Sequence, residues 1–285
     1  MPEKKKVGMA ALGGRSNVGK STLLNALVGT KIAITTPKAQ TTRHLIQGVV
    51  HDPRGQIVFV DTPGVFLQVP GRLTAALNKK AQDSVEGIDI LVYVVDPSRH
   101  VGDEEAMVHR MVAKSKLPKI LVLNKADLKR PYIDEYLAWR DEFDEVIEVS
   151  ALKERNLKAL IEAIFERLPL GEPLYPEHQL TDVSNEFWFA ELIREKVFMA
   201  MHDEIPYRTS VRVDEIANRP DGTLYLKAVI LTTEPKYKKM LIGAGARTVK
   251  RIGQNARKEL ELVMGRKVFL DLEVVVEEKW EERFE

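Results

Sequence analysis

The octapeptide Gly14-Arg15-Ser16-Asn17-Val18-Gly19-Lys20-Ser21 constrains the fold more than any other stretch of this chain. It follows a short apolar run, Val7–Leu12, and precedes Ser21–Val28, where Leu23, Leu24 and Leu27 share one helical face. It matches the pattern G-x-x-x-x-G-K-[ST] in the strand–loop–helix context that the pattern requires. Glycines at its ends let backbone N–H groups turn inward around an anion. The helix that follows adds the positive end of its dipole. Such a unit needs neighbours of the same kind, and the sequence supplies them. Ile57–Val60, Ile90–Val95, Ile120–Leu123 and Val146–Val149 are apolar runs of strand length, with Asp103–Lys114 and Asn156–Arg167 as intervening helices. Continuous apolar runs suit strands buried on both faces, so the expected domain is α/β with a mostly parallel sheet.

The pattern changes after residue 168. Pro169, Gly171, Pro173 and Pro176 interrupt all periodicity, and residues 169–184 read as a linker. Beyond it, Asn185–Met201 reads as a helix. Tyr207–Ile216 and Thr223–Leu231 read as a hairpin around Pro220-Asp221-Gly222. Tyr237–Ile242 and Arg247–Met264 read as two helices, and Val268–Val276 as a last strand. This order is α+β. The expected division is therefore 1–168, a linker at 169–184, a second domain at 185–276 and an acidic tail at 277–285. The length of 285 residues fits two ordinary domains. Cysteine is absent, so disulfides and thiolate metal sites are excluded, which suits a reducing compartment. No apolar run approaches membrane-spanning length, and no apolar segment follows the basic start as in a secretory signal.

Three further motifs follow the phosphate loop in order. Asp61-Thr62-Pro63-Gly64 closes an apolar strand. A carboxylate at Asp61 can hold Mg²⁺ together with the Ser21 hydroxyl, and the Gly64 N–H can sense a terminal phosphate. Asn124-Lys125-Ala126-Asp127 closes another strand. Asp127 can accept two N–H groups from guanine, whereas adenine would leave it unpaired. Asn124 can tie this loop to the phosphate loop, and the Lys125 stem can lie over the base. Ser150-Ala151-Leu152 closes the last strand, where the Ala151 N–H can meet the guanine carbonyl. Lys20 is a point charge for the outer phosphates, and Thr22 completes the loop's nucleotide-facing run. Between the first two motifs lies Lys38-Ala39-Gln40-Thr41-Thr42-Arg43. A threonine there can close on Mg²⁺ and the terminal phosphate; Thr42 is favoured and Thr41 stays open. Lys20, Thr42, Gly64 and Asn17 are the expected catalytic set.

The net charge of +1 hides an uneven distribution. Residues 236–258 carry eight basic and no acidic residues: Lys236, Lys238, Lys239, Arg247, Lys250, Arg251, Arg257 and Lys258. Residues 271–285 carry seven acids against two bases. Within the basic stretch, Gly243-Ala244-Gly245-Ala246 is a small-residue link between two helices. It allows close approach of a nucleic-acid backbone while Lys236, Lys239, Arg247, Lys250 and Arg251 neutralise phosphates. Only Tyr237 is an aromatic near the patch, so stacking should contribute little. Phe187, Trp188 and Phe189 read as core and interface rather than as a stacking platform. The six histidines show no metal-ligand spacing.

The run Gly14–Leu27 together with Lys38–Arg43 resembles the Era family of translation-factor-related GTPases. Residues 185–276 resemble a type II KH domain. The resemblance implies a P-loop GTPase domain followed by a smaller α+β KH domain, with GTP/GDP and Mg²⁺ as ligands. It implies binding to 16S ribosomal RNA near its 3′ end, with no DNA partner, and a role in 30S subunit maturation. It further implies a cytoplasmic monomer and leaves open a peripheral contact with the inner membrane. Ras-like enzymes place a water-orienting glutamine where this chain has Val65, and Era-like GTPases share the hydrophobic residue. Several relatives use the asparagine at the position of Asn17 to hold K⁺. The KH loop of the family is Gly-x-x-Gly; aligned from Gly243, Ala246 stands at its last glycine and must take a conformation alanine can reach, or Gly245 carries the turn in a shifted register.

Overall fold

A computed structural model describes residues 5–36, 38, 45–61 and 87–280. Contacts divide them into two units. One holds residues up to 33 and from 42 to 182; the other holds 34–41 and the chain from 183 onward.

The first unit is built on β1 (Lys5–Gly13), which lies beside β3 (Gly55–Asp61) on one side and β4 (Ile90–Val95) on the other. β5 (Lys119–Leu123) and β6 (Glu145–Glu148) extend the sheet in parallel beyond β4. The parallel strands expected from the apolar runs are all present, and β3 is buried along its whole length. Helices α1 (Lys20–Val28), α2 (Asp103–Ala113), α3 (Ile133–Leu137) and α4 (Leu157–Arg167) accompany them. In α1, Leu23, Leu24 and Leu27 are buried as their spacing required, and each contributes about 1.5–3 kcal/mol.

Two strands were not foreseen. β2 (Ile46–Asp52) runs antiparallel to β3 at the sheet edge. Its polar residues and Gly48 obscure any strand pattern. Glycine is needed there because a Cβ would lie within 2.8 Å of Ile32, Leu24 and Val28 side chains. β7 (Leu170–Gly171) pairs antiparallel with Lys5 and Lys6, so the beginning of the expected linker is built into the sheet. Further along it, the Tyr175 hydroxyl donates to Gln47 Oε1 at 2.6 Å, and the Thr181 hydroxyl donates to Gln47 O at 2.7 Å.

The chain passes from β1 to β2 and β3 on one side, then returns to β4 on the other. In a parallel sheet this reversal opens a crevice at the carboxyl ends of the strands. All four motifs start at those ends.

The second unit has α5 (Asn185–Ala200), β8 (Thr209–Asn218), β9 (Leu224–Thr232), α6 (Pro235–Ile242), α7 (Arg247–Met264) and β10 (Val268–Val276). Its sheet order is β10-β9-β8, with β8–β9 antiparallel and β9–β10 parallel. The Ser184 hydroxyl caps α5 by accepting the Phe187 N–H. On α7, Ile252, Ala256 and Leu260 recur every fourth residue and face the core. Phe189 is in that core and Trp188 packs against it, as expected. Ile34 belongs to the same core, and the Thr35 N–H donates to Glu195 at 3.2 Å. Among the described residues, no helix is long and apolar enough to cross a membrane.

Candidate nucleotide and RNA sites

The phosphate loop leaves β1 through Gly14, at φ 148°, where a Cβ would lie 2.3 Å from the Val94 carbonyl oxygen. It enters α1 through Gly19, at φ 101°, where a Cβ would lie 2.4 Å from Asn124 Nδ2. The glycines of the motif are therefore imposed by close approach as well as by backbone conformation. Asn17 is left-handed at φ 62°, and Val18 anchors the loop in the core. The Lys20 ammonium is buried and donates to the carbonyls of Gly14 and Arg15, both at 2.9 Å. Burial lowers its pKa, opposed by Asp61, Glu105 and Glu104.

Ser21 Oγ donates to Asp61 Oδ2 at 2.6 Å. Asp61 is fully buried, and its Oδ1 has no hydrogen-bond partner among the described residues. Burial raises its pKa, opposed by Lys20 and by the Ser21 hydrogen bond. A buried carboxylate with a spare oxygen beside a hydroxyl suits a hard cation that takes its remaining ligands from phosphate and water. These two residues fit Mg²⁺. Thr22 is half-buried in the first turn of α1. Thr41, Thr42, Thr62, Pro63, Gly64 and Val65 lie outside the described residues.

The base-reading loop is tied to the phosphate loop. Asn124 Nδ2 donates to Val18 O at 2.8 Å, while its Oδ1 accepts the Ala151 N–H at 3.0 Å. The Ala151 N–H thus orients the Asn124 side chain in this structure. Lys125, left-handed at φ 61°, reaches across to donate to Asn17 O at 2.9 Å. Asp127 accepts from the Ser150 hydroxyl, which holds its pKa below the ordinary value against the opposing effect of partial burial. It stays an ionised acceptor at neutral pH, as guanine recognition needs. Leu152 is largely exposed beside this loop.

Several partners carry no motif signature. Arg15 is buried, pairs with fully buried Glu105 at 2.7 Å and donates to the Tyr136 hydroxyl at 3.1 Å. Its side chain is thus committed to the protein interior. The Tyr93 hydroxyl donates to the other Glu105 oxygen at 2.6 Å, and Ser16 Oγ donates to Glu104 at 3.2 Å. The acids of α2 are visible in the sequence as a helix start, but their distance along the chain hides what they hold.

In the second unit, Gly243 to Ala246 join α6 to α7. A Cβ on Gly243 would lie 2.3 Å from Thr248 Oγ1. Gly245 and Ala246 are both left-handed, at φ 58° each. Alanine therefore adopts the turn conformation in place of glycine, at a cost of about 1–2 kcal/mol. Lys236, Lys239, Arg247, Lys250, Arg251, Arg257 and Lys258 are exposed. Arg247 Nε donates to Ala244 O at 3.2 Å, and Arg251 donates to Ala200 O at 3.3 Å. Tyr237 is buried, which removes the one aromatic near the patch as a stacking surface.

Residues 9–125 match the family described as 50S ribosome-binding GTPase, and residues 204–281 match the KH domain family. The chain is 38% identical to the GTPase Era of Halothermothrix orenii, over 98% of this chain and 95% of that protein. It is 42% identical to the GTPase Era of Carboxydothermus hydrogenoformans, over 96% of this chain and 94% of that one. The chain belongs to the Era family of GTPases. Its structure is also similar to that of Era in complex with MgGDPNP and nucleotides 1506–1542 of 16S ribosomal RNA, with a TM-score of 0.89 and 37% identity over 98% of this chain and 96% of that one. An Aquifex aeolicus Era variant bound to GDP and aluminium fluoride gives a TM-score of 0.88, also at 37% identity, over the same shares of the two chains. The α/β GTPase domain and the α+β KH domain expected from the sequence are thus both those of an Era GTPase.

Proposed function

We propose that this GTPase binds 16S ribosomal RNA near its 3′ end through the KH domain and assists maturation of the 30S subunit, with the nucleotide state timing the RNA-bound state. The observation that carries the reading is the convergence, at the carboxyl ends of the strands, of the phosphate loop, the Ser21–Asp61 pair and the Asn124–Asp127 loop tied to Val18. A relative solved with both MgGDPNP and a 16S fragment supports the pairing of ligands. Residues 1–168 would form the nucleotide domain and 185–276 the RNA-binding domain, with 169–184 between them and 277–285 as an acidic tail.

Gly14 through Thr22 would cradle the phosphates, with Lys20 leaving the loop carbonyls for the outer phosphates. Ser21 and Asp61 would hold Mg²⁺, joined by Thr42. Mg²⁺ supplies charge stabilisation to the transferring phosphoryl group. Thr62, Pro63 and Gly64 would follow the terminal phosphate, so that Lys38–Arg43 and Asp61–Gly71 act as switches. Asp127, with Ser150 behind it, would read the guanine edge, the Ala151 N–H would meet the guanine carbonyl, and Leu152 would flank the base. Val65 offers no side-chain hydrogen bond to water, so intrinsic hydrolysis would be slow. Asn17 would hold K⁺ as a substitute for an arginine finger; equal turnover in Na⁺ and K⁺ would exclude that role. Lys236, Lys239, Gly243 to Arg247, Lys250 and Arg251 would clamp the RNA backbone. The protein would be a cytoplasmic monomer, with a peripheral contact to the inner membrane left open.

The deciding experiment compares wild type and Asp127→Asn in hydrolysis of GTP and xanthosine triphosphate, with RNA affinity measured in each nucleotide state. The expected result is a switch of preference to the xanthine nucleotide, with RNA affinity following the bound nucleotide. RNA affinity indifferent to nucleotide would defeat the coupled reading.

A further inference from the structure

Asp96 stands just past β4 at the carboxyl edge of the sheet, outside all four motifs, and is fully buried. Its Oδ1 accepts the Ser98 N–H at 3.0 Å and the Ser98 hydroxyl at 2.6 Å. Its Oδ2 accepts from Lys125 Nζ at 2.6 Å. Burial alone would raise its pKa, but the bonds from Lys125 and Ser98 hold it below the ordinary carboxylate value. The carboxylate is therefore ionised at neutral pH and oriented from both sides. The same ammonium donates to Asn17 O, so Lys125 spans from the end of β5 to the phosphate loop with its tip held at two points. A lysine stem is flexible and normally loses much rotamer freedom on binding. Here that freedom is removed before any ligand arrives.

We propose that Asp96 is a positioning residue for the nucleotide site, acting through Lys125. It holds the ammonium against the phosphate loop and keeps the stem extended along the face where the base lies. This rests on the guanine-nucleotide reading above. The base and ribose are the same in GDP and GTP, before and after hydrolysis. The contribution is therefore uniform binding, which raises affinity without changing the chemical step.

The test is a double-mutant cycle on the full chain with Asp96→Asn, Lys125→Met and both, using fluorescent GDP titration and steady-state GTP hydrolysis. Asp96→Asn should weaken GDP and raise the KM for GTP by the same factor, about tenfold, with kcat unchanged. In the Lys125→Met background the same substitution should change affinity by less than about twofold. Equal losses with and without Lys125, or a fall in kcat at constant KM, would overturn the proposal. Ser98→Ala removes only the hydroxyl that orients Asp96, so it provides the second test if Asp96→Asn does not fold. It should give a smaller loss of the same pattern, again absent without Lys125, and a loss that persists there counts against the proposal. Wild-type protein that binds no guanine nucleotide would defeat the functional reading instead.

Discussion

The nucleotide site and the basic face of the KH domain present charge in opposite ways. Around the phosphate loop several side chains are buried and partnered: Lys20 on loop carbonyls, Asn124 on Val18 and Ala151, Arg15 on Glu105. On α6 and α7 the cations other than half-buried Lys238 are exposed, and Arg247 and Arg251 donate to the backbone carbonyls of Ala244 and Ala200. The first arrangement fixes atoms before a ligand arrives and discriminates by geometry. The second supplies field and counterion release, which attract a polyanion without demanding one position. A single chain thus pairs a selective site with a permissive surface.

The sharpest way to break this contrast is Lys20→Ala. It should lower kcat for GTP hydrolysis by about 10³-fold, as loss of a preorganised charge does, and leave RNA binding without nucleotide unchanged. Next is Glu105→Ala, which strands the buried Arg15 guanidinium and should lower unfolding stability by about 3–5 kcal/mol. Replacing both partners, Arg15→Met with Glu105→Leu, should recover most of that loss in denaturant titration. An equal loss in the pair would mean that shape, not charge burial, governs the loop. On the other face, Arg247→Ala with Lys250→Ala should reduce the salt slope of RNA binding by about 0.7 for each phosphate no longer neutralised. GTP hydrolysis without RNA should not change. An unaltered slope would place the RNA elsewhere. The smallest effect is Ala246→Gly, which relieves left-handed strain and should raise stability by up to about 1 kcal/mol in thermal or urea unfolding. The turn would then match the Gly-x-x-Gly form, and RNA affinity should hold or rise.

The parallel strands were legible because apolar runs buried on both faces leave a strong local signal. β2 was not, since its place is set by Gly48 fitting against α1, an approach between distant residues. β7 was missed because two residues carry no periodicity, and only pairing with Lys5 and Lys6 makes them a strand. In the site, Lys20, Ser21, Asp61, Asn124 and Asp127 announced themselves by motif. Their supports did not. Glu105, Tyr93, Tyr136 and Asp96 are ordinary residues in ordinary contexts until the fold brings them together. Ala151 was visible by motif, and the fold adds that its N–H donates to Asn124 Oδ1.

By itself the sequence determined the two-domain order, the nucleotide class and the basic face, because each is written in local spacing, residue type or charge density. The tertiary structure decided which side chains are committed to one another. It turned Arg15 inward to Glu105, clamped Lys125 between Asp96 and Asn17, and buried Tyr237 out of reach. Those assignments depend on which strands lie side by side. Strand order joins residues far apart along the chain, through packing that no local pattern encodes.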